Sequence, residues 1–258
     1  MEYNGNAVYS YIVENELENY YFPAENTWIL LYGDAYSNPR ILVLALRAEA
    51  LQEPFSKEEK TAVRAAVDVS KELGLPFIGV RFVPGSDQVL VWETTEKKPE
   101  RMSYDKLRDL YEEYGVVQPG TPRKSVNQYV SSSYHTWQRA NLGKITVSDL
   151  DLLRYGEEGE LQEIIELKRS KYAIDRWKPF DTDFPNFALV INAIVDSGRD
   201  IPFQIYYNVL RDGPKGRRED DISQIKVFAF DIPEETIDSM GVKYKDCGIF
   251  RLEKLLKD

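Results

Sequence analysis

The stretch SDLDLLRYGEEGELQEIIELKRSK, residues 148 to 171, decides how this chain is read. Its Leu and Ile runs have the composition of buried β-strands, and a turn from Gly156 to Gly159 separates them. Yet Asp149, Asp151, Glu166 and Lys168 interrupt those apolar runs, where a lone buried charge is expensive. Strand residues alternate between faces. Asp149 and Asp151 are therefore expected on one face of a strand from about Ile145 to Arg154, together with Ile145 and Val147. Glu166 and Lys168 share one face of a second strand, Leu161 to Arg169, with Ile165 and Leu167 on the other. If the turn makes the two strands antiparallel neighbours, the four polar groups converge at one end of a sheet.

Three carboxylates at one place repel one another unless a cation sits between them. With one cysteine, Cys247, and one histidine, His135, a disulfide within the chain, a multi-thiolate zinc site and a metal held mainly by imidazole are all excluded. Oxygen ligands suit Mg²⁺, with Mn²⁺ as the expected substitute. Such an ion polarises a phosphoryl oxygen and activates water, and a neighbouring lysine orients that water or stabilises developing charge. The chemistry indicated is phosphodiester hydrolysis.

With these residues in place, the stretch resembles the PD-(D/E)XK nuclease superfamily, the restriction-endonuclease-like fold. The signature of that family is an acid on one strand, a short hairpin, then Glu/Asp-X-Lys on the next. Here Asp151 in DLDLL and Glu166-Leu167-Lys168 in EIIELKRS match it, and a helix and two strands are expected to follow in the family's order. The resemblance covers about residues 120 to 231. It implies Asp151 and Glu166 as metal ligands, the carbonyl of Leu167 as a third, and Lys168 as the residue that positions or deprotonates the attacking water. Asp149 is implied as an auxiliary ligand. Many members carry a further Glu or Gln on the preceding helix, for which Gln128 and Gln138 are weak matches. The competing plain reading is an exposed edge hairpin with a Glu-Lys pair on its wet face, but Ile164 and Val147 on the same faces do not fit it.

Composition agrees with a folded chain. In 258 residues, 43% hydrophobic and 29% charged, there is enough apolar material for one large or two small cores. No window approaches a membrane span and the first residues lack a signal pattern, so a cytoplasmic protein with no membrane partner is expected. A formal charge of -10 excludes a uniformly cationic, polyanion-binding surface, so nucleic acid would be met by local basic patches.

Reading forward, strands are expected at Thr27 to Tyr32 and Arg40 to Arg47, then a helix from Lys57 to Leu73 capped by Ser56 with Glu59 and stopped at Gly74. Strands follow at Phe77 to Val83 and Gln88 to Thr94, then a solvated connector TTEKKPER and a helix from Ser103 to Tyr114. VVQPGTPRK marks a domain boundary, giving an N-terminal α/β domain (1–118) and a nuclease-like domain (119–258). The second half is expected to run as a helix (Lys124 to Asn141), the two charged strands, a helix (Phe184 to Ser197), strands at Phe203 to Leu210 and Gln224 to Asp231, and a closing amphipathic helix. Each half reads strand, turn, strand, helix, strand, loop, strand. Laying VLALRAE (43 to 49) on IIELKRS places Ala45 on Glu166 and Arg47 on Lys168, as in a degenerate duplication that lost its carboxylate. The fold class is thus α/β, a mixed central sheet flanked by helices, with the N-terminal half either a degenerate copy or a substrate- or partner-sensing module.

Further residues offer substrate contacts. Arg217 and Arg218, with Arg211 and Lys215, lie in the charged loop RDGPKGRRED, for which an ordinary hairpin loop neutralised by the following acids is the favoured reading. Arg139, with Tyr134, His135 and Trp137, lies on the helix before the first charged strand, where aromatic residues are also core formers. Lys171, Tyr172, Arg176, Trp177 and Lys178 follow the second, and Gln204 alternates with Tyr206 on the strand after the helix. The aromatic start, with Tyr9, Tyr11, Tyr20, Tyr21 and Phe22, is expected to pack over the N-terminal sheet or to form a partner surface. The resulting expectation is a metal-dependent hydrolase cutting DNA in preference to RNA, endonucleolytic, with homodimerisation left open. Two alternatives stand beside it: a non-catalytic acidic binding or inhibitory module on the same fold, and a defence nuclease linked to RNA or a nucleotide signal.

Overall fold

The computed structural model describes residues 5–93, 98–118, 133–213 and 218–257. It is an α/β protein with two mixed six-stranded sheets and, among the described residues, six α-helices. In the first half come α1 (Ala7–Glu14), β1 (Tyr20–Tyr21), β2 (Thr27–Gly33), β3 (Pro39–Arg47), α2 (Lys57–Glu72), β4 (Phe77–Phe82), β5 (Gln88–Trp92), β6 (Glu100–Ser103) and α3 (Tyr104–Glu113). In the second come α4 (Ser133–Asn141), β7 (Thr146–Asp149), β8 (Leu152–Tyr155), β9 (Leu161–Ser170), α5 (Phe184–Ser197), β10 (Phe203–Asp212), β11 (Arg218–Phe230), β12 (Tyr244–Phe250) and α6 (Leu252–Lys257). No helix among the described residues is long and apolar enough to cross a membrane.

The first sheet has the order β6-β5-β4-β3-β2-β7 and the second β12-β11-β10-β9-β8-β1. In each, a β-hairpin (β2–β3, β8–β9) continues through a helix to a parallel strand, and two antiparallel strands complete that side. The outermost strand on the hairpin side is antiparallel and comes from the other half of the chain: β7 pairs with β2, and β1 with β8. Each half therefore lends its opening helix and short strand to its counterpart's sheet.

Three apolar clusters follow from this exchange. The largest lies between the sheets, where α2 and α5 are covered on both sides: α2 touches β2, β3, β4 and β9, while α5 touches β2, β3 and β7 and lays Phe187 on Phe203 and Phe230. Its location explains why α5 is apolar nearly all round, with Phe187 to Ile194 buried without interruption. A second cluster joins α3 and α4 to the outer face of the first sheet, and a third joins α1 and α6 to the outer face of the second.

The helix start at Ser56 has the expected capping box, with Ser56 Oγ accepting from Glu59 N and Glu59 accepting from Ser56 N. Other expectations need correction. The strand expected from Ile145 to Arg154 is two strands in two sheets, because the chain leaves β2 after Asp149 and joins β9 at Leu152. TTEKKPER ends in β6, the charged loop after Leu210 continues the β10–β11 ladder on both sides of residues 214–217, and the expected closing helix is the short α6, preceded by the strand Tyr244 to Phe250 that was not expected. The aromatic start packs on the other sheet: Tyr20 joins the third cluster, and Tyr9 stacks on Phe22 at 4.3 Å beside it.

The two sheets also fix a register between the halves. Leu31 pairs with Leu42 and Leu42 with Phe77, while Leu153 pairs with Ile164 and Ile164 with Phe203. Leu42 N donates to Pro76 O at 2.9 Å, and Ile164 N to Pro202 O at 3.0 Å. Each central helix stops at a left-handed glycine, Gly74 or Gly198, both with φ 64°. With these anchors superimposed, Glu166 falls on Leu44 and Lys168 on Leu46, one residue away from the alignment on Ala45 and Arg47. That single step matters because it changes the face of the sheet.

Candidate active site

Glu166 and Lys168 lie on the face of β9 turned toward α5, and their flanking residues Ile165 and Leu167 pack in the third cluster on the opposite face. Lys168 Nζ is 2.8 Å from Glu166 Oε1 and 5.8 Å from the centre of the Phe187 ring on α5. Asp151 occupies the link between β7 and β8. The β8–β9 ladder ends at Leu152 and Ile165, and beyond that end Asp151 Oδ2 accepts the Leu167 N–H at 2.9 Å. The carboxylate thus takes the place of a missing strand partner. Its own carbonyl accepts from Tyr9 Oη at 2.9 Å, which ties the link to the first residues of the chain.

A third carboxylate closes the group. Asp183, in the short 3-10 turn Asp181–Asp183 that opens α5, lies 3.7 Å from Lys168 Nζ. Sequence reading missed it, because it lies outside the hairpin motif. The signal was present: DTDFP is an acid and a proline at a helix start, and that helix start brings Asp183 beside Lys168 of β9.

Burial sets the electrostatics. It raises the pKa of Asp151 well above the carboxylate range, with Glu166 and Asp149 adding repulsion, against the Leu167 N–H and Lys168. Glu166 is also raised by burial; Lys168 counteracts this and Asp183 adds to it. Burial alone would lower the Lys168 pKa, but Glu166, Asp183 and Asp151 outweigh it and the ammonium is held more firmly than usual. Lys168 is therefore a fixed cation and hydrogen-bond donor.

Asp149 is not part of the same strand face. It ends β7, pairs with Leu30 in the other sheet and is exposed, and its charge adds repulsion to Asp151. The expected convergence of three carboxylates on one ion is not formed: among the described residues no group of three or more His, Cys, Asp or Glu is arranged to hold a metal. Two carboxylates remain, Asp151 and Glu166. The Leu167 carbonyl joins them, since the N–H and C=O of a strand residue project to the same edge and this N–H already meets Asp151. That donor set fits Mg²⁺, which takes one or two carboxylates and keeps several of its waters.

The remaining candidates disperse. Gln204 pairs with Ile165 and lies with Tyr206 on the face away from Glu166, so the alternation of β10 removes it from the site. Tyr207 takes the facing position beside Lys168 instead and stacks on Trp177 at 4.2 Å. Lys171 is exposed and pairs with Asp212 at 2.5 Å, and Arg218 is exposed opposite Asp212. Gln138 is buried, accepting from Tyr32 Oη at 2.7 Å in the second cluster, and is thus structural. Gln128, Lys215 and Arg217 lie outside the described residues, as do the side chains of His135 and Arg139. After β9, Trp177 is buried, while Lys171, Tyr172, Arg176, Lys178 and Phe180 form an exposed basic and aromatic strip. Lys226 anchors this strip from β11, donating to the carbonyls of Asp175 and Trp177 at 3.1 Å each.

No protein-family description matches the chain, and no curated protein matches it. Among solved structures, the sex pheromone precursor from Lactobacillus salivarius subsp. salivarius UCC118 aligns at 10% identity with a TM-score of 0.14. That alignment covers 81% of this chain and 62% of that one, so this chain spans less than two thirds of its length. The C-terminal domain of the sex pheromone staph-cAM373 precursor from Staphylococcus aureus aligns at 8% identity, covering 85% and 69%, with a TM-score of 0.15. Likenesses at this level carry no argument about fold or activity.

Proposed function

We propose that the chain is a metal-dependent nuclease of the restriction-endonuclease-like kind, hydrolysing DNA phosphodiester bonds. The observation that carries this reading is the placement of Asp151 at the open end of the β8–β9 ladder, on the Leu167 N–H, with Glu166 and Lys168 on the facing strand. A plain edge hairpin has no reason to bury two carboxylates together and raise both their pKa values, since that arrangement destabilises the fold. Such a cost is typical of a functional site.

In this reading Asp151, Glu166 and the Leu167 carbonyl would hold Mg²⁺, which when bound supplies a polarised phosphoryl oxygen and an acidified water. Lys168 donates to the attacking water or to a non-bridging oxygen, and Asp183 keeps its ammonium in place. The water oxygen bonds to phosphorus, the bond from phosphorus to the leaving sugar oxygen breaks, and one water proton ends on that oxygen. The strip from Lys171 to Phe180 offers cations and aromatic faces to a backbone beside the site, on a chain whose net charge of -10 otherwise repels it.

The test is cleavage of plasmid, linear duplex, single-stranded DNA and RNA with Mg²⁺, Mn²⁺ or EDTA, comparing wild type with Lys168→Ala. Cutting that needs the metal and disappears in the variant is expected, with DNA ahead of RNA. No cutting of any substrate by the folded protein would overturn the reading in favour of a non-catalytic binding module.

A further inference from the structure

The register between the two sheets gives the candidate site a counterpart. Stepping from the paired anchors Leu31/Leu153, Leu42/Ile164 and Phe77/Phe203, Asp151 corresponds to Ile29, Glu166 to Leu44, Lys168 to Leu46 and Tyr207 to Arg81. Ile29, Leu44 and Leu46 are fully buried in the central cluster. Arg81 is equally buried, with Nη2 at 2.7 Å from Glu59, Nη1 donating to the carbonyl of Glu53 at 2.5 Å, its guanidinium 4.0 Å over the Phe55 ring, and only Nε left without a hydrogen bond. The counterpart position is thus closed by packing and by one committed ion pair. Its backbone repeats the parallel strand and the flanking strand lent from the other half, but β2 stays paired with β3 through Ile29 to Thr27, so the open ladder end that holds Asp151 is closed there and its chemistry is absent.

A nucleic acid duplex has two antiparallel strands. Breaking both at the same moment takes two reactive centres facing them in opposite senses, and this chain has two related scaffolds with reactive groups, among the described residues, on one. We infer, resting on the nuclease reading above, that the chain acts on one strand at a time: a single bound chain breaks one phosphodiester bond of a duplex and leaves the complement intact. Each event consumes one water, whose hydroxyl goes to phosphorus and whose proton goes to the leaving oxygen. The second half supplies the reactive centre, and the first completes its sheet through β1 and its clamp on the Asp151 link through Tyr9.

The experiment is a time course on supercoiled plasmid with limiting protein and Mg²⁺ or Mn²⁺, resolved into supercoiled, open-circular and linear forms, with a linear duplex labelled separately on each strand in parallel. The mass of the protein on a nicked duplex is measured by sedimentation. Open circles should accumulate first, with linear plasmid arising only from them, and one chain should be bound. On the linear duplex, one label should be lost before the other, and preference for single strands would support the same mode. Lys168→Ala, with an unchanged far-UV spectrum, should remove nicking and linearisation together by at least about 100-fold. Linear plasmid formed without open circles, two chains on the duplex with simultaneous breaks, or nicking that survives in the variant would each overturn the inference while leaving a nuclease. No cleavage of any substrate would overturn the nuclease reading itself, and the inference with it.

Discussion

Lys168 is surrounded by three carboxylates yet touches a ring of the central core, and this combination makes it a donor of fixed direction rather than a base. Removing its ammonium should lower the cleavage rate by about 10²–10³-fold, as should Glu166→Gln, with unchanged far-UV spectra for both. Asp183→Asn is expected to cost less, about 10- to 100-fold, because it acts through Lys168; single-turnover rates at saturating substrate separate this from weaker binding. Asp151 gives a pH prediction. Its folded pKa is raised, so the native state holds the proton more tightly than the unfolded chain, and stability present below the ordinary value of about 3.9 is lost as pH rises through the folded value. Metal-free Asp151→Asn keeps an oxygen for the Leu167 N–H and should melt above metal-free wild type at about pH 7, with the difference closing near about pH 3. A lower melting temperature at neutral pH would refute this account of the buried charge. Asp151, Glu166 and Lys168 were legible in the sequence because charges inside apolar strands violate burial. Asp183 was not, since a helix-start acid is ordinary until its helix is placed over a particular strand.

Among elements, α2, α5 and the hairpin strands were legible because their caps, breakers and apolar periodicity are local. The split between β7 and β8 was not, because Ile145 to Arg154 keeps strand-like composition through the link and nothing local records a change of sheet. Likewise β12 contains Lys245, Asp246 and Gly248 and pairs only along one side, so its sequence lacks the pattern of a buried strand. The close packing of the first sheet is testable at Gly79 on β4, where an added methyl would stand 2.0 Å from Trp92 Cε2. Gly79→Ala should lower the urea midpoint, corresponding to about 1–3 kcal/mol, with an unchanged slope. In the exposed strip, Arg176→Ala with Lys178→Ala should weaken DNA binding and reduce its dependence on log salt by up to about 2 units, read from binding isotherms across salt concentrations.

At the scale of the molecule, two similar sheets share one core and exchange their flanking strands, so neither is complete from one half of the chain. Fragments 1–118 and 119–258 expressed together should therefore purify as a 1:1 complex, and each alone should be insoluble or melt far lower. Two separately stable monomers would show that the exchange is dispensable. The repeated order of elements was visible in the sequence, whereas its register was not: Ala45 and Leu44 are equally acceptable partners for Glu166 until a pairing fixes the face. The exchange also has a consequence in time. Tyr20 and Tyr21 leave the ribosome early, but their partners Arg154 and Leu153 follow about 130 residues later, roughly 7–26 seconds at ~5–20 residues per second. For that interval β1 has no strand to join, and the first sheet likewise waits for β7 before its edge is covered. Synthesis of this chain is thus a race between late arrival and premature association, in which slowing translation between β6 and β8 would lengthen the exposure of both waiting edges.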